Sequence, residues 1–325
     1  MHGRLAPSPT GLLHIGNMSS FALAAVQAHR HSGRLALRIE DLDPPRCVPG
    51  AVERHVETLR WLGIDWHSGP SRGGGHAPYR QSMRSDIYEH ALSEFAARGL
   101  VYGCGCSRRD VREALSAPHN AFDPALAYPG TCRPQHPTTT PISRQQQSIR
   151  FIANGVRTFE DVVWGPQAQD IARAPGDFVV RRRDGLFAYQ FAVVIDDAAM
   201  GITHVVRGVD LLQSTAAQLA IFEALGVSAP QYLHAPLLVD ERGARLAKRH
   251  GPVDREALAA SGWTGPLMLG ALAVLWGWTT TLSPQSIEGL AALWAPEHLR
   301  RETICVPDAL ALGPQAYDAH LRTQL

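Results

Sequence analysis

The first 43 residues contain the pattern that most constrains the fold: a short strand, a glycine turn, a helix and a second strand. Residues 18–31 ("MSSFALAAVQAHRH") are typical of a helix, which Gly33 ends. Residues 34–43 ("RLALRIEDLD") are typical of a buried strand that ends in acidic side chains. Further helices are predicted at 51–63 and 84–99. Helices that alternate with strands favour a layered α/β fold over an all-β fold.

The α/β pattern is interrupted after Leu100. A stretch rich in Pro, Thr and Gln, which contains Cys104, Cys106 and Cys132, extends to residue 147 and is typical of an insertion. Beyond it the sheet is expected to continue, and the end of the chain is expected to be helical. Strand-like segments are predicted at 148–153, 177–197 and 202–208, and a helix at 214–226.

Length, charge and cysteine content exclude several classes of protein. The 325 residues suffice for one large domain with an insertion, or for several domains. Because 31 Lys and Arg balance 30 Asp and Glu, any contact with nucleic acid must use local patches. The most apolar stretch, 265–278, is too short and too glycine-rich to span a bilayer, so we expect a cytoplasmic protein without membrane association. An odd number of cysteines, five, indicates reduced thiols, which can also bind a metal, rather than a disulfide framework.

A glycine-containing turn precedes the first helix. In "GLLHIGN" (11–17), Gly11 allows a sharp exit from the strand, and Gly16 removes a Cβ where a ligand or another backbone can lie close. The helix N-terminus favours an anion, and His14 adds side-chain donors beside it. The turn is therefore either a phosphate site or a simple connection in which His14 caps the helix.

A second candidate motif is basic. The segment "GARLAKRHG" (243–251) places Arg245, Lys248, Arg249 and His250 in a loop bounded by glycines. A mobile positive loop of this kind can stabilise charge on a transferring phosphate. A solvated surface loop is the alternative interpretation.

Together the two motifs carry a family resemblance. "RLAPSPTGLLHIGN" and "RLAKR" resemble the two signature motifs of class I aminoacyl-tRNA synthetases, and "RIEDLDPPR" with residues 177–212 narrow the resemblance to the glutamyl branch. The similarity runs from Arg4 to about Gly251. Because 325 residues leave no room for a large anticodon-binding region, the chain most resembles the shortened paralogues, the glutamyl-Q tRNA(Asp) synthetases.

The resemblance implies a Rossmann-type parallel sheet with a zinc-containing insertion and a C-terminal helical domain. The expected catalytic domain comprises residues 1–99 and 176–240, separated by an inserted acceptor-type subdomain at 100–175. Residues 241–325 are expected to form the basic signature loop and a helical domain that resembles a stem-contact domain, with no anticodon-binding domain. We expect a monomer.

The resemblance also implies a reaction. The glutamate carboxylate attacks the α-phosphate of ATP, with Mg²⁺ expected, and gives glutamyl-adenylate and pyrophosphate. The shortened family then transfers glutamate to queuosine at the wobble position of tRNA(Asp). Asn17 stands where many relatives have His, and Ala247 where the second motif often has Ser. The implied catalytic residues are His14, Gly16, Asn17 and Lys248, and the implied ATP-binding residues are His14, Gly16, Arg245, Lys248 and Arg249.

Selection of glutamate needs cations for two carboxylates and an anion for the ammonium group. Arg4 and Arg207 can each make paired hydrogen bonds to a carboxylate, and Glu40 can accept from the ammonium. Taken alone, Glu40 could instead cap the next segment, and Arg207 could form a structural ion pair. The implied glutamate-binding residues are Arg4, Leu5, Ala6, Pro7, Ser8, Glu40, Tyr189 and Arg207.

The cysteines of the insertion match the Cys, Cys, Tyr, Cys zinc site of the family. The matching residues are Cys104, Cys106, Tyr128 and Cys132. Three thiolates and a phenolate complete a tetrahedral structural site, which would fold the insertion and would not activate water. Three ordinary buried thiols are the alternative.

Three other functions stay open. One is a compact conventional glutamyl-tRNA synthetase that charges tRNA(Glu). Another is a non-catalytic tRNA-binding relative, although a pure binder has no use for Lys248 and the rest of an ATP site. The third, an unrelated nucleotidylyltransferase, would not explain the cysteine-containing insertion.

Overall fold

The structure is a computed structural model that describes residues 1–107, 127–136, 147–244 and 254–324. Strands and helices alternate through most of these ranges. The strands are β1 (His2–Leu5), β2 (Arg34–Leu37), β3 (Val101–Cys104), β4 (Ser148–Phe151), β5 (Val156–Asp161), β6 (Gly165–Asp170), β7 (Phe178–Arg181), β8 (His204–Gly208), β9 (Gln231–Ala235), β10 (Leu238–Val239) and β11 (Ile304–Cys305). The α-helices are α1 (Ile15–Arg30), α2 (Ala51–Trp61), α3 (Ser85–Ala97), α4 (Tyr189–Ala199), α5 (Thr215–Leu225), α6 (Arg255–Ala260), α7 (Gly265–Trp276), α8 (Ile287–Ala292), α9 (Ala309–Leu312) and α10 (Pro314–Gln324).

A parallel sheet assembled from two distant parts of the chain organises the molecule. β1 pairs in parallel with β2, and β8 pairs in parallel with β9, whose other edge contacts β5. His2 exchanges hydrogen bonds with Thr203, just before β8, so the two parts lie side by side. The chain leaves β1 through α1 to β2 on one side, whereas β8 lies on the other side. The predicted parallel α/β fold is confirmed, and β1 and β8 flank a topological switch point, where α/β proteins bind ligands.

A smaller antiparallel sheet carries the cysteines. It has the strand order β3, β4, β7. Strand pairing crosses the predicted boundary near residue 175. β5 and β4 belong to the expected insertion, but β5 contacts β9 and β4 pairs with β7, which both belong to the expected catalytic domain. The domain limits at 99, 175 and 240 stay predictions.

The strand prediction for 177–197 is wrong in its second half. β7 ends at Arg181, and α4 begins at Tyr189. Every side chain from Phe191 to Asp197 is buried. An apolar run buried on all sides has no polar face to reveal a helical period, so its pattern resembles that of a buried strand. The helices predicted at 18–31, 51–63, 84–99 and 214–226 are confirmed as α1, α2, α3 and α5, with shifts of a few residues at their ends.

The C-terminal helices share one core with the N-terminal part of the sheet. Leu272 and Trp276 of α7 belong to the same buried cluster as Leu5 and Ile15. The Nε1 of Trp276 donates to the Ser19 Oγ of α1 at 2.9 Å. These contacts brace α1, the helix whose first turn contains the "HIGN" motif. Among the described residues, no helix combines the length and the apolar character needed to cross a bilayer.

Candidate active site

A cleft of about 890 Å³ opens where β1 and β8 end. Five separate segments form its walls: the turn after β1 with the start of α1, the segment after β2, the start of α4, the end of β8 with the residues that follow it, and residues 236–238 after β9. The fold therefore brings together residues that are more than 200 positions apart in the sequence, such as Arg4 and Arg207. Of the predicted residues, those that line the cleft are Arg4, Ala6, Pro7, Ser8, His14, Gly16, Asn17, Glu40, Tyr189 and Arg207.

The remaining predicted residues of this site have other positions. The Leu5 side chain is fully buried in the core, and the Leu5 carbonyl accepts a hydrogen bond from the backbone N–H of Arg38 at 2.9 Å. Arg245, Lys248 and Arg249 lie outside the described residues.

The first turn is closed by a capping box. His14 is the N-cap of α1, and its Nδ1 accepts from the backbone N–H of Gly16 at 3.1 Å. The Asn17 Oδ1 accepts in return from the backbone N–H of His14 at 3.2 Å. Because Nδ1 is an acceptor, a neutral His14 carries its proton on Nε2. Asn17, which departs from the commoner family letter, thus has a structural role in closing the cap.

Gly16 makes room for the imidazole of His14. A Cβ at position 16 would lie 3.0 Å from two atoms of that ring, so a side chain there would displace it. The first turn of α1 contains no acidic residue. Its N-terminal N–H groups therefore keep their positive potential, and this end of the cleft suits an anion such as a phosphate.

A second group of residues in the cleft carries opposite charges. Arg4 is 4% exposed; its Nε lies 3.4 Å from Asp197, and its Nη1 donates to the carbonyl of Val206 at 3.3 Å. No described residue accepts a hydrogen bond from its Nη2. The Glu40 Oε1 accepts from Arg38 Nη2 at 3.0 Å. Burial raises the pKa of Glu40, although the charges of Arg38 and Arg4 oppose the rise, so a bound cation would favour its ionised form.

Arg207 donates hydrogen bonds to neutral groups only. Its Nε donates to His234 Nε2 at 3.0 Å, and its Nη1 to Gln218 Oε1 at 2.7 Å. Its Nη2 donates to Thr215 Oγ1 at 2.8 Å and to the carbonyl of Leu211 at 3.3 Å. No carboxylate among the described residues forms an ion pair with it. The guanidinium is thus fixed in position while its charge stays available to an anion in the cleft.

Tyr189 adds a neutral phenol to the same cleft. Burial raises its pKa, and the nearby charge of Arg207 only partly opposes that rise. The hydroxyl therefore stays protonated and can donate or accept a hydrogen bond at neutral pH.

Sequence reasoning missed the acids behind the cleft. Asp197 Oδ1 accepts from Arg38 Nη1 at 2.6 Å, and fully buried Asp196 accepts from Arg84 Nε at 2.6 Å and Tyr88 Oη at 2.8 Å. Two adjacent acids at the end of an otherwise apolar run were the available signal. Acids in such a run need buried cationic partners.

The described segments before and after the basic loop both contact the cleft. Leu238 lines the cleft, and Asp240 then closes a turn by accepting from the backbone N–H of Ala244 at 2.8 Å. After the loop, Asp254 forms a backbone bridge with His14 and caps α6. The chain therefore leaves the cleft after Leu238 and returns to it at Asp254, beside His14.

Three cysteines of the smaller sheet form a candidate metal site. The Sγ atoms of Cys104, Cys106 and Cys132 all lie within 4.8 Å of one another. The Cys106 and Cys132 sulfurs are 3.5 Å apart, and the Tyr128 Oη lies 3.4 Å from Cys104 Sγ and 3.7 Å from Cys106 Sγ. Metal–sulfur bonds of about 2.3 Å in a tetrahedron place sulfurs about 3.8 Å apart, so these spacings suit a single ion.

The surroundings of this cluster favour at least one thiolate. The guanidinium of Arg150 lies 3.6 Å from the centre of the Tyr128 ring. Burial raises the pKa of the Cys104 thiol, but hydrogen bonds with Tyr128 and Arg150 outweigh it and lower that pKa to about 7. Burial and a hydrogen bond with Cys132 raise the pKa of Cys106 to about 11. The residues could hold a metal ion, which would favour the deprotonated form of each ligand.

Known proteins share this architecture. The family model described as class I tRNA synthetases (E and Q), catalytic domain, matches residues 1–291. The chain belongs to the class I glutamyl- and glutaminyl-tRNA synthetase family. This synthetase is therefore an aminoacyl-tRNA ligase-type enzyme that uses ATP.

Two relatives are similar to this synthetase over most of their lengths. The glutamyl-Q tRNA(Asp) synthetase of Symbiobacterium thermophilum is 43% identical over 309 residues, which are 94% of this chain and 95% of that protein. The protein of the same name from Nitratidesulfovibrio vulgaris is 43% identical over 313 residues, 94% of this chain and 96% of that protein.

A solved structure extends the likeness to the fold. The crystal structure of a glutamate tRNA ligase from Elizabethkingia meningosepticum, in complex with its amino acid, superposes with a TM-score of 0.79 at 27% identity. The match covers 96% of this synthetase and 68% of that chain.

Proposed function

We propose that this synthetase activates L-glutamate with ATP and transfers it to queuosine at the wobble position of tRNA(Asp). The observation that carries the proposal is the match to relatives named glutamyl-Q tRNA(Asp) synthetase over 95% and 96% of their own lengths. The cleft contributes the chemistry, because one end suits a phosphate and the other combines two buried arginines with a carboxylate.

Glutamate is the amino acid that the charged end of the cleft suits. Arg207 offers a buried cation without a direct acidic partner among the described residues, and Arg4 offers its Nη2. Glu40 Oε1 is engaged by Arg38, and its other oxygen has no hydrogen-bond partner among the described residues. Two cations and one anion match the two carboxylates and the ammonium group of glutamate, with Ser8 and Tyr189 as further hydrogen-bonding groups.

In this proposal ATP lies at the N-terminus of α1, whose positive end suits its phosphates. The Nε2 of His14 and the positive potential at the helix N-terminus would bind its phosphates, with Mg²⁺ bound to the nucleotide, while Gly16 and Asn17 hold the turn in shape. The basic loop would supply Arg245, Lys248 and Arg249. Lys248 is the single lysine in a chain that contains 30 arginines, which supports a role that needs a compact ammonium rather than a planar guanidinium.

Zinc is the metal we assign to Cys104, Cys106, Tyr128 and Cys132. The donor set is soft, the spacing suits a tetrahedral ion, and four protein ligands leave no position for substrate, so the ion would be structural. Thiolate ligands need a reducing compartment, which supports a cytoplasmic location.

The runner-up function is a compact conventional glutamyl-tRNA synthetase that charges tRNA(Glu). The likeness to the Elizabethkingia ligase favours it, since both share the fold. A non-catalytic tRNA-binding relative would not need the charged cleft.

Glutamate-dependent exchange of pyrophosphate into ATP, without tRNA, tests the activation step. We expect exchange with the wild-type protein and its loss in Lys248→Ala, while circular dichroism and the melting temperature stay unchanged. Arg322→Ala, at an exposed i,i+4 pair, is the matched control and should exchange normally. Absence of exchange in the wild type would favour the non-catalytic alternative.

The single lysine gives a second test that needs no substitution. An amine-selective reagent can modify only Lys248 and the N-terminal amine, and mass spectrometry of peptides separates the two. We expect ATP with Mg²⁺ to protect Lys248. Equal modification with and without ATP would remove Lys248 from the ATP site.

A further inference from the structure

His234 lies directly behind Arg207 in the parallel sheet. The two residues are register partners on β9 and β8. His234 is fully buried, and its Nε2 receives the hydrogen bond from Arg207 Nε at 3.0 Å. Its Nδ1 lies 2.6 Å from an oxygen of Asp161 at the end of β5. The three side chains thus form a buried line from the interior of the sheet to the cleft.

The protonation state of His234 follows from its partners. An arginine Nε–H can only donate, so the His234 Nε2 must be an acceptor and the ring must be neutral with its proton on Nδ1. That proton is donated to Asp161. Burial lowers the pKa of His234, and the hydrogen bond to Asp161 opposes the change without cancelling it. The neutral tautomer is therefore the stable one around neutral pH.

Asp161 is fixed as an ionised acceptor. Its Oδ1 accepts from the backbone N–H groups of Val163 at 3.0 Å and Trp164 at 2.9 Å. Burial raises its pKa, but the hydrogen bonds from His234 and Trp164 outweigh burial and lower the pKa below its ordinary value. A carboxylate held in this way selects the Nδ1–H tautomer of His234.

The geometry points to Asp161 and His234 as a positioning pair that orients Arg207 for the substrate carboxylate without neutralising it. A carboxylate in direct contact with Arg207 would compete with the substrate. The imidazole keeps the negative charge of Asp161 one residue away, so the cation is stabilised from behind and its charge remains available in the cleft. This inference rests on the proposed binding of glutamate by Arg207.

Two substitutions of His234 separate positioning from mere packing. Gln places an amide oxygen near the position of Nε2 and can still accept from Arg207, whereas Asn places its amide near Nδ1 and loses that contact. We expect H234N to raise the KM for glutamate in pyrophosphate exchange about tenfold or more, the effect of losing a hydrogen bond to a charged group. H234Q should stay within about threefold of the wild type, and the KM for ATP should not change in either variant.

Asp161→Asn tests the tautomer itself. The Asn oxygen can keep the bonds from Val163 and Trp164, while its amide would replace Oδ2. That amide would donate to His234 Nδ1 and move the ring proton to Nε2, against Arg207, and it would lose the bond that Oδ2 accepts from the backbone N–H of His234 at 3.2 Å. We expect D161N to raise the KM for glutamate at least as much as H234N. His90→Asn, at a histidine whose side chain is 78% exposed, is the control and should behave as the wild type.

The outcomes distinguish this inference from the proposed function. Wild-type protein that shows no glutamate-dependent exchange would contradict the proposed function. If the wild type shows exchange, two results would overturn the positioning role. One is an unchanged KM for glutamate in H234N and D161N. The other is an equal rise of the KM values for glutamate and ATP in H234N and H234Q. If the His234 variants do not fold, ¹⁵N NMR of the imidazoles determines the tautomer of His234 in the wild type. The His234 signal is identified as the one that changes in D161N. We expect it to show a protonated Nδ1 and an unprotonated Nε2, and a proton on Nε2 would overturn the inference.

Discussion

The cleft and the cysteine cluster are held together in opposite ways. Behind the cleft, buried Asp196 and Asp197 bind Arg38, Arg84 and Arg4, so the fold fixes the charges before any ligand arrives. In the cluster, the cysteine sulfurs contact the Tyr128 hydroxyl or one another at 3.4 to 3.7 Å, which are weak hydrogen bonds at best. The one short bond there is donated by the backbone N–H of Cys132 to the Tyr128 Oη at 2.7 Å.

The charged residues hold the cleft in shape, whereas a bound ion would hold the cysteine cluster in shape. The cleft is a product of the fold, and its charged groups cost free energy that many other contacts offset. In the cysteine cluster the bound ion would stabilise the fold, because it would order the strands and turns that provide its ligands. Removal of a buried acid should therefore affect the whole protein, whereas removal of the metal should affect one sheet.

The largest expected effect is on the buried acids. Asp196→Ala leaves the buried guanidinium of Arg84 without its carboxylate. We expect the free energy of unfolding to fall by about 3–5 kcal/mol, the usual result of breaking one partner of a buried ion pair. Denaturant titration followed by circular dichroism measures it. The matched control is Asp318→Ala, which removes an exposed i,i+4 pair and should change stability by less than about 0.5 kcal/mol. Equal effects of the two variants would contradict a cleft built on buried charge.

Arg4→Lys should affect substrate binding more than folding. Lysine cannot contact Asp197 and the carbonyl of Val206 while it also presents a planar pair of donors to a carboxylate. We expect the KM for glutamate to rise roughly 10- to 100-fold, the loss of one bidentate charged contact, with little change in the KM for ATP. Arg34→Lys, at an exposed arginine on β2, should leave both constants unchanged. A parallel rise of both KM values would indicate general distortion of the cleft.

Removal of the metal should have the smallest effect on the activation of glutamate. A chelator should release one zinc ion per chain and reduce the hydrogen-exchange protection of β3 and β4 by at least about tenfold, which corresponds to local opening. Pyrophosphate exchange should stay within about twofold of the untreated protein, because a closed four-ligand site takes no part in the chemistry. Cys132→Ser should reproduce both results. Loss of pyrophosphate exchange with unchanged hydrogen-exchange protection of β3 and β4 would contradict a structural role for the metal and indicate that it takes part in the reaction.

Sequence patterns predicted the local elements well, because α1, α2, α3 and α5 each show an exposed polar face or a glycine boundary. They failed at α4, whose residues 191–197 are buried on all sides. The motif residues were found because His14, Gly16 and Arg207 stand in short signature segments.

Pairings across the fold could not be predicted in the same way. Nothing local in the sequence joins Asp161 to His234 or Arg38 to Asp197, since these contacts depend on how distant strands and helices pack. The capping role of Asn17 likewise became evident only from the geometry of the turn. Charged residues inside apolar segments were the one usable signal for the missed groups.

The nucleophile that accepts glutamate distinguishes the proposed function from that of a conventional synthetase, and a transfer assay identifies it. Labelled glutamate is offered with ATP to queuosine-containing tRNA(Asp) whose 3′-terminal adenosine has been removed, beside the same tRNA without queuosine and intact tRNA(Glu). The account predicts label on the shortened, queuosine-containing tRNA(Asp) and on neither of the other two. Label that appears on intact tRNA(Glu), and is absent from the shortened tRNA(Asp), would contradict it and identify a conventional glutamyl-tRNA synthetase.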